Sequence, residues 1–295
     1  MKRVRIGILI HKDDAAFIYF KYLIKLLIKE WKSLGFAVEI IRGTDRLVPA
    51  DVVVSHIDLT VVPSEYKEFL AQYPVVINGN VPDISKTKIS RNLIGKDDDY
   101  AGPVIVKTDR NSGGFSEARM IGPRHLLRAA AARLTGRGRP LGFLCQPGLG
   151  TWADVRHIKS GEYPVFSSLR DVPPGIFENE HLVIEKFLPE LIGDRYHIRY
   201  YHFLGDKDIA QIYQSKSMVV KASTAIDQEI VPTPPELREF RQQIGLDYGK
   251  IDYVIRHGKV ILLDVNPTPA LPSHDLMARR ISRHLAVGIT SKLNQ

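Results

Sequence analysis

Two patterns of apolar and polar positions alternate along the first 80 residues. Continuous apolar runs predict buried strands at VRIGILI, AVEII, DVVVSHI and VVIN, and the spaced apolar positions from Phe17 to Leu34 predict an amphipathic helix. A second helix is predicted from Glu65 to Gln72, and Gly35 stands where a left-handed helix cap is wanted. Strands that alternate with helices in this way predict a small parallel sheet.

The pattern changes in the rest of the chain. A strand is predicted from Pro103 to Thr108 and a helix from Pro123 to Leu134. From His181 onward, apolar runs separated by turns predict an antiparallel sheet that ends in a hairpin over KIDYVIRHGKVILLDVN. Helices are predicted from Pro234 to Ile244 and from about His274. The predicted fold class therefore combines α/β and α+β architecture.

Composition narrows the class of protein. The chain has 295 residues, more than the about 100–200 of a usual domain, so two or three substructures are expected. Its one cysteine, Cys145, cannot form an internal disulfide, and the apolar N-terminal run stops at the polar stretch from His11 to Asp14. We therefore expect a cytoplasmic protein without a membrane partner. The net charge of +8 suits a nucleotide and acidic metabolites, while scattered basic residues disfavour nucleic acid.

Candidate metal ligands lie at the end of the predicted hairpin. Asp264 and Asn266 are two residues apart, so both side chains point to one face of their strand. Asp252 would share that face if the loop has three residues, whereas a two-residue loop would turn it away. Two carboxylates and an amide oxygen suit Mg²⁺, which fills its remaining positions with water and phosphate oxygens. The alternative is that these residues merely end a strand before the NPTPALP turn.

Lys107 is a candidate phosphate ligand. It ends an apolar strand directly before a loop with Ser112, Gly113 and Gly114, where the backbone can fold closely over phosphate. A solvated strand end is the alternative. No Walker A pattern and no kinase H-R-D or D-F-G element is present, and no G-x-G-x-x-G turn follows the first strand. We therefore expect a different means of holding the nucleotide.

The segment HLVIEKFLPE resembles a hinge against which an adenine lies. Residues 185–188 offer backbone groups and apolar side chains to the base, and Glu190 is a candidate acceptor for a ribose hydroxyl. Downstream, Arg199 alternates with apolar residues and Lys216 ends the next predicted strand, so both offer cations to phosphate or to a developing anion. An ordinary strand tip and cross-strand charge pattern is the alternative.

Taken in this order, these segments resemble the ATP-grasp superfamily over about residues 80 to 290. The resemblance is to the branch of ribosomal-protein glutamate ligases and glutathione synthetase-like proteins. It implies an N-terminal Rossmann-like pre-ATP-grasp domain over residues 1–82. It also implies two grasp subdomains, the first over residues 83–184 with the lysine and glycine loop, and the second over residues 185–295 with the antiparallel sheet and the metal hairpin.

The same resemblance implies roles for individual residues, with ATP and Mg²⁺ as cofactors. A further lysine is expected before the first grasp strand, and Lys86 and Lys88 are both candidates. One departure is that the family more often has glutamate where this chain has Asp264. The implied nucleotide ligands are Lys86, Lys107, Ser112, Gly113, Gly114, Glu185, Lys186, Phe187, Leu188 and Glu190; the implied catalytic cations are Arg199 and Lys216; the implied metal ligands are Asp252, Asp264 and Asn266.

The function implied is an ATP-dependent carboxylate–amine ligase that works through an acyl phosphate and releases ADP and phosphate. A phosphotransferase acting on a hydroxyl and a non-catalytic nucleotide-binding module are the alternatives. The partners are a small-molecule or peptide carboxylate and an amine acceptor, neither of which the sequence identifies. A homodimer is compatible with the sequence, which fixes neither the oligomeric state nor the number of magnesium ions. Candidate substrate contacts are His11, Lys12, Asp13, Asn78, Gly79, Asn80, Arg238, Arg241, Ser273 and His274.

Overall fold

A computed structural model describes residues 3–81, 83–121, 152–159, 161–222, 225–271 and 276–293. The predicted helix at residues 123–134, Cys145, Ser273 and His274 lie outside these ranges. The strands are β1 (Arg5–Ile10), β2 (Ala37–Arg42), β3 (Val52–Ser55), β4 (Val76–Ile77), β5 (Val104–Thr108), β6 (Val165–Phe166), β7 (Leu182–Lys186), β8 (Glu190–Ile192), β9 (Arg195–Leu204), β10 (Lys207–Ser215), β11 (Asp227–Val231), β12 (Tyr248–Arg256) and β13 (Lys259–Asn266).

The α-helices flank the sheets, and the longest of those described have 11 residues. They are α1 (Leu23–Ser33), α2 (Ser64–Leu70), α3 (Lys86–Ile89), α4 (Phe115–Met120), α5 (Pro174–Phe177), α6 (Pro235–Gln243), α7 (Leu276–Ala286) and α8 (Thr290–Leu293). Short 3₁₀ turns lie at Ala15–Ile18, Asn111–Gly114, Trp152–Asp154, Leu169–Asp171 and Val287–Ile289.

The N-terminal region forms the predicted parallel sheet, in the order β2-β1-β3-β4. Its two inner strands, β1 and β3, are apolar on both faces because helices cover both sides. The helix predicted from Phe17 begins only at Leu23, because the Asp14 carboxylate accepts a hydrogen bond from the backbone N–H of Phe17 and caps a separate 3₁₀ turn there. Gly35 has a φ of 90°, which confirms the predicted left-handed cap.

Two antiparallel sheets follow. Strands β6-β5-β7 form a three-stranded sheet, and β11-β10-β9-β12-β13 form a larger one. Strand β8 pairs with the first three residues of β9. The combination of a parallel sheet with antiparallel sheets confirms the predicted fold class. Strand β7 pairs with β5, so the expected boundary between residues 184 and 185 falls inside a strand of the smaller sheet.

The β12–β13 hairpin has an irregular register. Its turn contains only His257 and Gly258, both at positive φ, as a two-residue type I′ turn requires. Of the two loop lengths that the sequence left open, the structure therefore has the two-residue loop, but this loop does not turn Asp252 away from Asp264. Leu263 is instead an extra residue in a β-bulge, since Tyr253 pairs with Leu262 but Asp252 pairs with Asp264. The bulge brings the two carboxylates to one face despite the short turn.

Helix α7 completes the N-terminal layer. It packs against α1, and apolar residues of both helices belong to one buried cluster with strands β1 and β3. The indole Nε1 of Trp31, which is fully buried, donates a hydrogen bond to the backbone oxygen of Ala286 at 2.8 Å. The N-terminal sheet and the end of the described chain therefore share a core.

Candidate functional site

The centre of the candidate site is the cross-strand pair of Asp252 on β12 and Asp264 on β13. Asn266 lies two residues beyond Asp264, and its Oδ1 accepts a hydrogen bond from the backbone N–H of Thr268 at 2.8 Å. Burial raises the pKa of Asp252; the nearby Lys250 opposes this shift and Asp264 adds to it. Two carboxylates and an amide at one end of a hairpin form a hard oxygen donor set that fits Mg²⁺.

Larger metal clusters are not formed by the described residues. In the described ranges, no group of three or more His, Cys, Asp or Glu side chains is placed to hold a metal ion.

A buried lysine from a different element contacts Asp264. The Nζ atom of Lys86, at the start of α3, lies 3.5 Å from Asp264 Oδ1 and donates to the backbone oxygen of Arg110 at 3.3 Å. The Lys86 side chain is 3% exposed, whereas Lys88, two residues later, is exposed. Of the two candidate lysines, only Lys86 therefore contacts the carboxylate pair.

Lys107 approaches the hairpin from the smaller sheet. Its Nζ lies 2.6 Å from Glu185 Oε2 on the adjacent strand and donates to the backbone oxygen of Leu263 at 3.2 Å. Glu185 is 1% exposed, so this ion pair is buried. The bulge residue Leu263 thus supplies a carbonyl that holds Lys107 beside Asp252 and Asp264.

Lys250 is a third cation at the site, and the sequence analysis missed it. Its Nζ lies 2.7 Å from Asp252 Oδ1 and 4.0 Å from the centre of the Tyr200 ring. Burial alone lowers the pKa of Lys250, but Asp252, Tyr200 and Asp264 together raise it above its usual value. The signal was present in the sequence, because Lys250 precedes Asp252 by two residues on one strand and therefore shares its face.

Arg199 lies on the other face of the larger sheet. It pairs in register with Tyr253, whereas Tyr200 pairs with Asp252. Its guanidinium forms a bidentate ion pair with the buried carboxylate of Glu190, at 2.6 to 3.1 Å, and that carboxylate also accepts from the backbone N–H of Ile255 at 2.8 Å. The geometry therefore places Lys250, and not Arg199, beside the pair of Asp252 and Asp264.

The other catalytic candidate, Lys216, is exposed and follows the end of β10. The predicted roles of Arg199 and Lys216 as cations for the transferred phosphoryl group stay predictions. The role of Glu190 as a ribose ligand also stays a prediction. Both of its carboxylate oxygens already accept hydrogen bonds from Arg199.

The hinge segment, residues 185–188, comprises the last two residues of β7 and the two residues after it. Lys186 is exposed, and Phe187 and Leu188 are half-buried. The backbone N–H groups of Lys186 and Phe187 donate to the carbonyls of Asn92 and Pro103, both at 2.8 Å. These two N–H groups are thus already used, and an adenine edge would have to be bound by the other backbone groups of the hinge.

The glycine loop is packed against residues 156–158. Ser112, Gly113 and Gly114 all have positive φ values, and a Cβ atom at Gly113 would lie 2.2 Å from the backbone oxygen of Ile158. A side chain at Gly113 is therefore excluded by neighbouring backbone. Contact between this loop and phosphate stays a prediction.

Several predicted substrate contacts have structural partners. The side-chain amide of Asn78 bridges the backbone of Asp247 and Tyr248. Arg238 pairs with Asp208 at 2.6 Å, and Arg241 donates to the backbone oxygen of Gly205 at 2.8 Å. These three residues link elements around the site.

A buried polar network connects the N-terminal layer to Asn266 at the end of β13. The carboxylate of Asp58, after β3, accepts hydrogen bonds from the hydroxyls of Tyr22, Ser116 and Thr268 at 2.7 to 2.8 Å, and Arg119 donates to it at 3.0 Å. Because Thr268 also donates to Asn266 Oδ1, this network fixes the orientation of a predicted metal ligand.

Comparisons with known proteins bear on the fold. No protein-family model matches the sequence, and no curated protein matches it at a significant level. Solved structures match over nearly the whole chain. VanG D-Ala:D-Ser ligase from Enterococcus faecalis is 11% identical with a TM-score of 0.51, and the match covers 99% of this chain and 100% of that chain.

Two further structures match with slightly lower TM-scores. D-alanine–D-alanine ligase from Bacillus anthracis complexed with ATP is 14% identical, with a TM-score of 0.49 and coverage of 99% of this chain and 97% of that chain. A RimK domain protein ATP-grasp from Sphaerobacter thermophilus is 11% identical, with a TM-score of 0.48 and coverage of 97% and 100%.

The chain has the ATP-grasp fold. The likeness to VanG extends over all three sheets, and at this low identity it concerns the fold and not the activity. Within the described ranges, no helix is both long and apolar enough to cross a membrane.

Proposed function

We propose that this protein is an ATP-dependent carboxylate–amine ligase that forms an amide or peptide-like bond through an acyl phosphate. The observation that carries the proposal is the pair of Asp252 and Asp264, enclosed by Lys86, Lys107 and Lys250 from three different elements. The shared fold with a D-Ala:D-Ser ligase supports the same class of reaction. Cations that surround two carboxylates suit a metal–triphosphate, whose negative charge they would balance.

Each residue has a proposed role in phosphoryl transfer. Asp252, Asp264 and Asn266 would hold Mg²⁺, which when bound neutralises charge on the phosphate oxygens. Lys86 and Lys107 would bind non-bridging phosphate oxygens, and Glu185 and the Leu263 carbonyl fix the position of the Lys107 ammonium. Because these groups are preorganised by burial, little reorganisation accompanies the reaction.

Lys250 has a proposed role in the second step. Its ammonium, held by Asp252, would stabilise the oxyanion that forms when the amine attacks the acyl phosphate. The bond between the acyl carbon and the phosphate oxygen then breaks, phosphate leaves with its electron pair, and the proton of the attacking amine passes to the departing phosphate. No covalent enzyme intermediate is needed, because ATP has already converted the carboxylate oxygen into a good leaving group.

We also propose the domain division that the resemblance implies: a pre-ATP-grasp domain over residues 1–82 and grasp subdomains over residues 83–184 and 185–295. The structure describes a separate sheet in each of these regions, apart from the strand shared at residues 182–186. The partners would be a carboxylate and an amine acceptor.

The proposal is tested by release of ADP and free phosphate from ATP and Mg²⁺ with a panel of carboxylic acids and amines. We expect the two products to rise together only with a matching acid and amine. Asp264→Asn should lower the rate by at least a hundredfold, because it removes a metal-binding charge. Asp194→Asn is the matched control, since Asp194 is 86% exposed on a turn, and it should retain the wild-type rate.

Two results would contradict the proposal. ADP without free phosphate, together with a phosphorylated product, would indicate a phosphotransferase. Binding of ATP without turnover for any acid and amine would indicate a nucleotide-binding module.

A further inference from the structure

A cavity of about 380 Å³ lies over the face of the larger sheet that carries Asp252 and Lys250. Strands β9, β10 and β12 form one wall, and helix α7 and the segment before β11 form the others.

Most of the described lining side chains are apolar or aromatic, and polar atoms make up about half of the surface that lines the cavity. Helix α7 contributes Met277, Ala278 and Ile281, and the rings of Tyr200 and Tyr213 lie 4.7 Å apart on the sheet. The described wall has one anionic residue, Asp227, which is exposed and accepts a hydrogen bond from the side-chain amide of Gln214. Such a lining favours an uncharged ligand body.

Among the described lining residues, His202 on β9 and Lys250 on β12 are the nitrogen-bearing side chains nearest to Asp252. Lys250 is the one lysine or arginine among the described lining residues. His202 is 1% exposed and pairs in register with Lys250; as a neutral ring it offers hydrogen bonding without a second positive charge. The described cavity wall therefore presents a single cation, and that cation also contacts Asp252 at 2.7 Å.

This position joins the cavity to the proposed reaction centre. A carboxylate bound at Lys250 would lie next to the strand pair that is proposed to hold the metal, where it must meet the phosphate donor. The rest of the acid would extend over Tyr200 and Tyr213 toward α7.

We propose that this cavity holds the body of the carboxylic acid substrate, and that the substrate is a monocarboxylate with a largely apolar, uncharged body whose carboxylate faces Lys250. This inference rests on the proposed ligase function and adds the class of acid. A dicarboxylate such as glutamate would bring its second carboxylate against the apolar and aromatic side chains of Tyr200, Tyr213 and helix α7, where burying a charge is costly.

The size of the cavity sets an upper limit on the ligand. Its volume is roughly two and a half times that of the ~150 Å³ engineered cavity that binds benzene, so it has room for about 15 non-hydrogen atoms. An arylalkanoate or a long branched-chain acid fits this limit.

The test is direct binding to the full chain by calorimetry, without ATP. The probes are 3-phenylpropanoate, its neutral amide, glutarate and 3-phenylpropylamine. We expect 3-phenylpropanoate to bind at least tenfold more tightly than each of the other three. Equal or tighter binding of glutarate would overturn the proposed class, and tighter binding of the amine would assign the cavity to the amine acceptor.

Variants locate the binding. Ala225→Trp should fill the cavity and weaken 3-phenylpropanoate binding at least tenfold, whereas Ala71→Trp, at the exposed end of α2, should leave it unchanged. If thermal unfolding shows that Ala225→Trp does not fold, Ala222→Trp at an exposed position of the lining replaces it. Lys250→Met should abolish the preference for the acid over its amide. Unchanged binding in the filled variant would overturn the proposal.

Because this assay measures binding without turnover, it separates the two proposals. Binding with the expected preferences, but no acid-dependent release of ADP and phosphate, would retain the cavity assignment and contradict the ligase. Turnover that is highest with a dicarboxylate, and insensitive to Ala225→Trp, would retain the ligase and contradict the cavity assignment.

Discussion

In the buried ion pair of Lys107 and Glu185, the lysine contributes both to the stability of the fold and to the candidate site. Glu185 is almost fully buried, so its carboxylate depends on the ammonium that lies 2.6 Å away. Lys107→Met should destabilise the fold by about 3 kcal/mol, because it leaves an uncompensated buried charge. Urea unfolding at pH 7 measures this loss.

The matched control for that prediction is the double variant Lys107→Met/Glu185→Leu. It removes both charges together and should recover most of the lost stability, although not nucleotide binding. A double variant no more stable than Lys107→Met would show that the pair itself is not the cause.

The buried side chain of His56 should make the stability of the fold depend on pH. Burial lowers its pKa to about 4, which the nearby Asp58 opposes, and it packs edge-on against Phe17 and Tyr22. At pH values between about 4 and the usual pKa near 6.5, His56 is protonated in the unfolded chain but neutral in the folded chain. Stability should therefore fall as the pH is lowered through this window, by up to about 1.4 kcal/mol per pH unit for this group.

Urea unfolding at pH 5 and pH 7 checks the slope. His56→Gln should flatten it, because glutamine does not titrate, even if the variant is less stable at both pH values. His202, whose pKa burial lowers to about 3, should contribute a slope of the same sign, so that His56→Gln/His202→Gln is flatter still. An unchanged slope in both variants would contradict the prediction.

At the scale of elements, the sequence predicted where strands and helices lie better than how strands pair. Apolar runs located β1 and β5 within one or two residues, because burial of a strand leaves a local pattern. The bulge at Leu263 leaves no such pattern, since Leu263 is as apolar as Ile261 and Leu262 before it. Lys250 was missed although its spacing of two residues from Asp252 places both side chains on one face of the strand.

The position of the bulge depends on contacts distant in sequence. Lys107 binds the Leu263 carbonyl, and the side-chain amide of Asn92 donates to the Leu262 carbonyl at 2.6 Å. Each donor precedes the residue whose carbonyl it binds by more than 150 positions. Local sequence therefore could not fix the register, and it left a two-residue and a three-residue loop as alternatives.

The hairpin turn yields a prediction for the β12–β13 element. His257 has a φ of 50° and Gly258 of 74°, a conformation that favours asparagine followed by glycine. His257→Asn should raise stability by a few tenths of a kcal/mol, whereas Gly258→Ala should lower it by about 1 kcal/mol. Thermal unfolding of the two variants beside wild type checks the signs, and a stabilising Gly258→Ala would contradict the assigned turn.

At the scale of the whole molecule, the N-terminal sheet and α7 share one hydrophobic cluster. Because this cluster crosses the proposed domain limits, calorimetry should show the N-terminal sheet and the larger sheet unfolding in a single transition. Trp31→Phe should lower its midpoint, at a cost of about 1–3 kcal/mol, since the carbonyl of Ala286 loses its buried donor. Two resolved transitions in wild type would contradict a shared core.

The contact of Trp31 with Ala286 also has a consequence for biosynthesis. The two residues are 255 positions apart, and ribosomes add about 5–20 residues per second. The apolar surface of α1 and of the cluster that α7 covers therefore stays exposed for tens of seconds after the N-terminal strands have emerged from the ribosome. During translation this nascent sheet would be a natural client for a chaperone that shields apolar surface until α7 arrives.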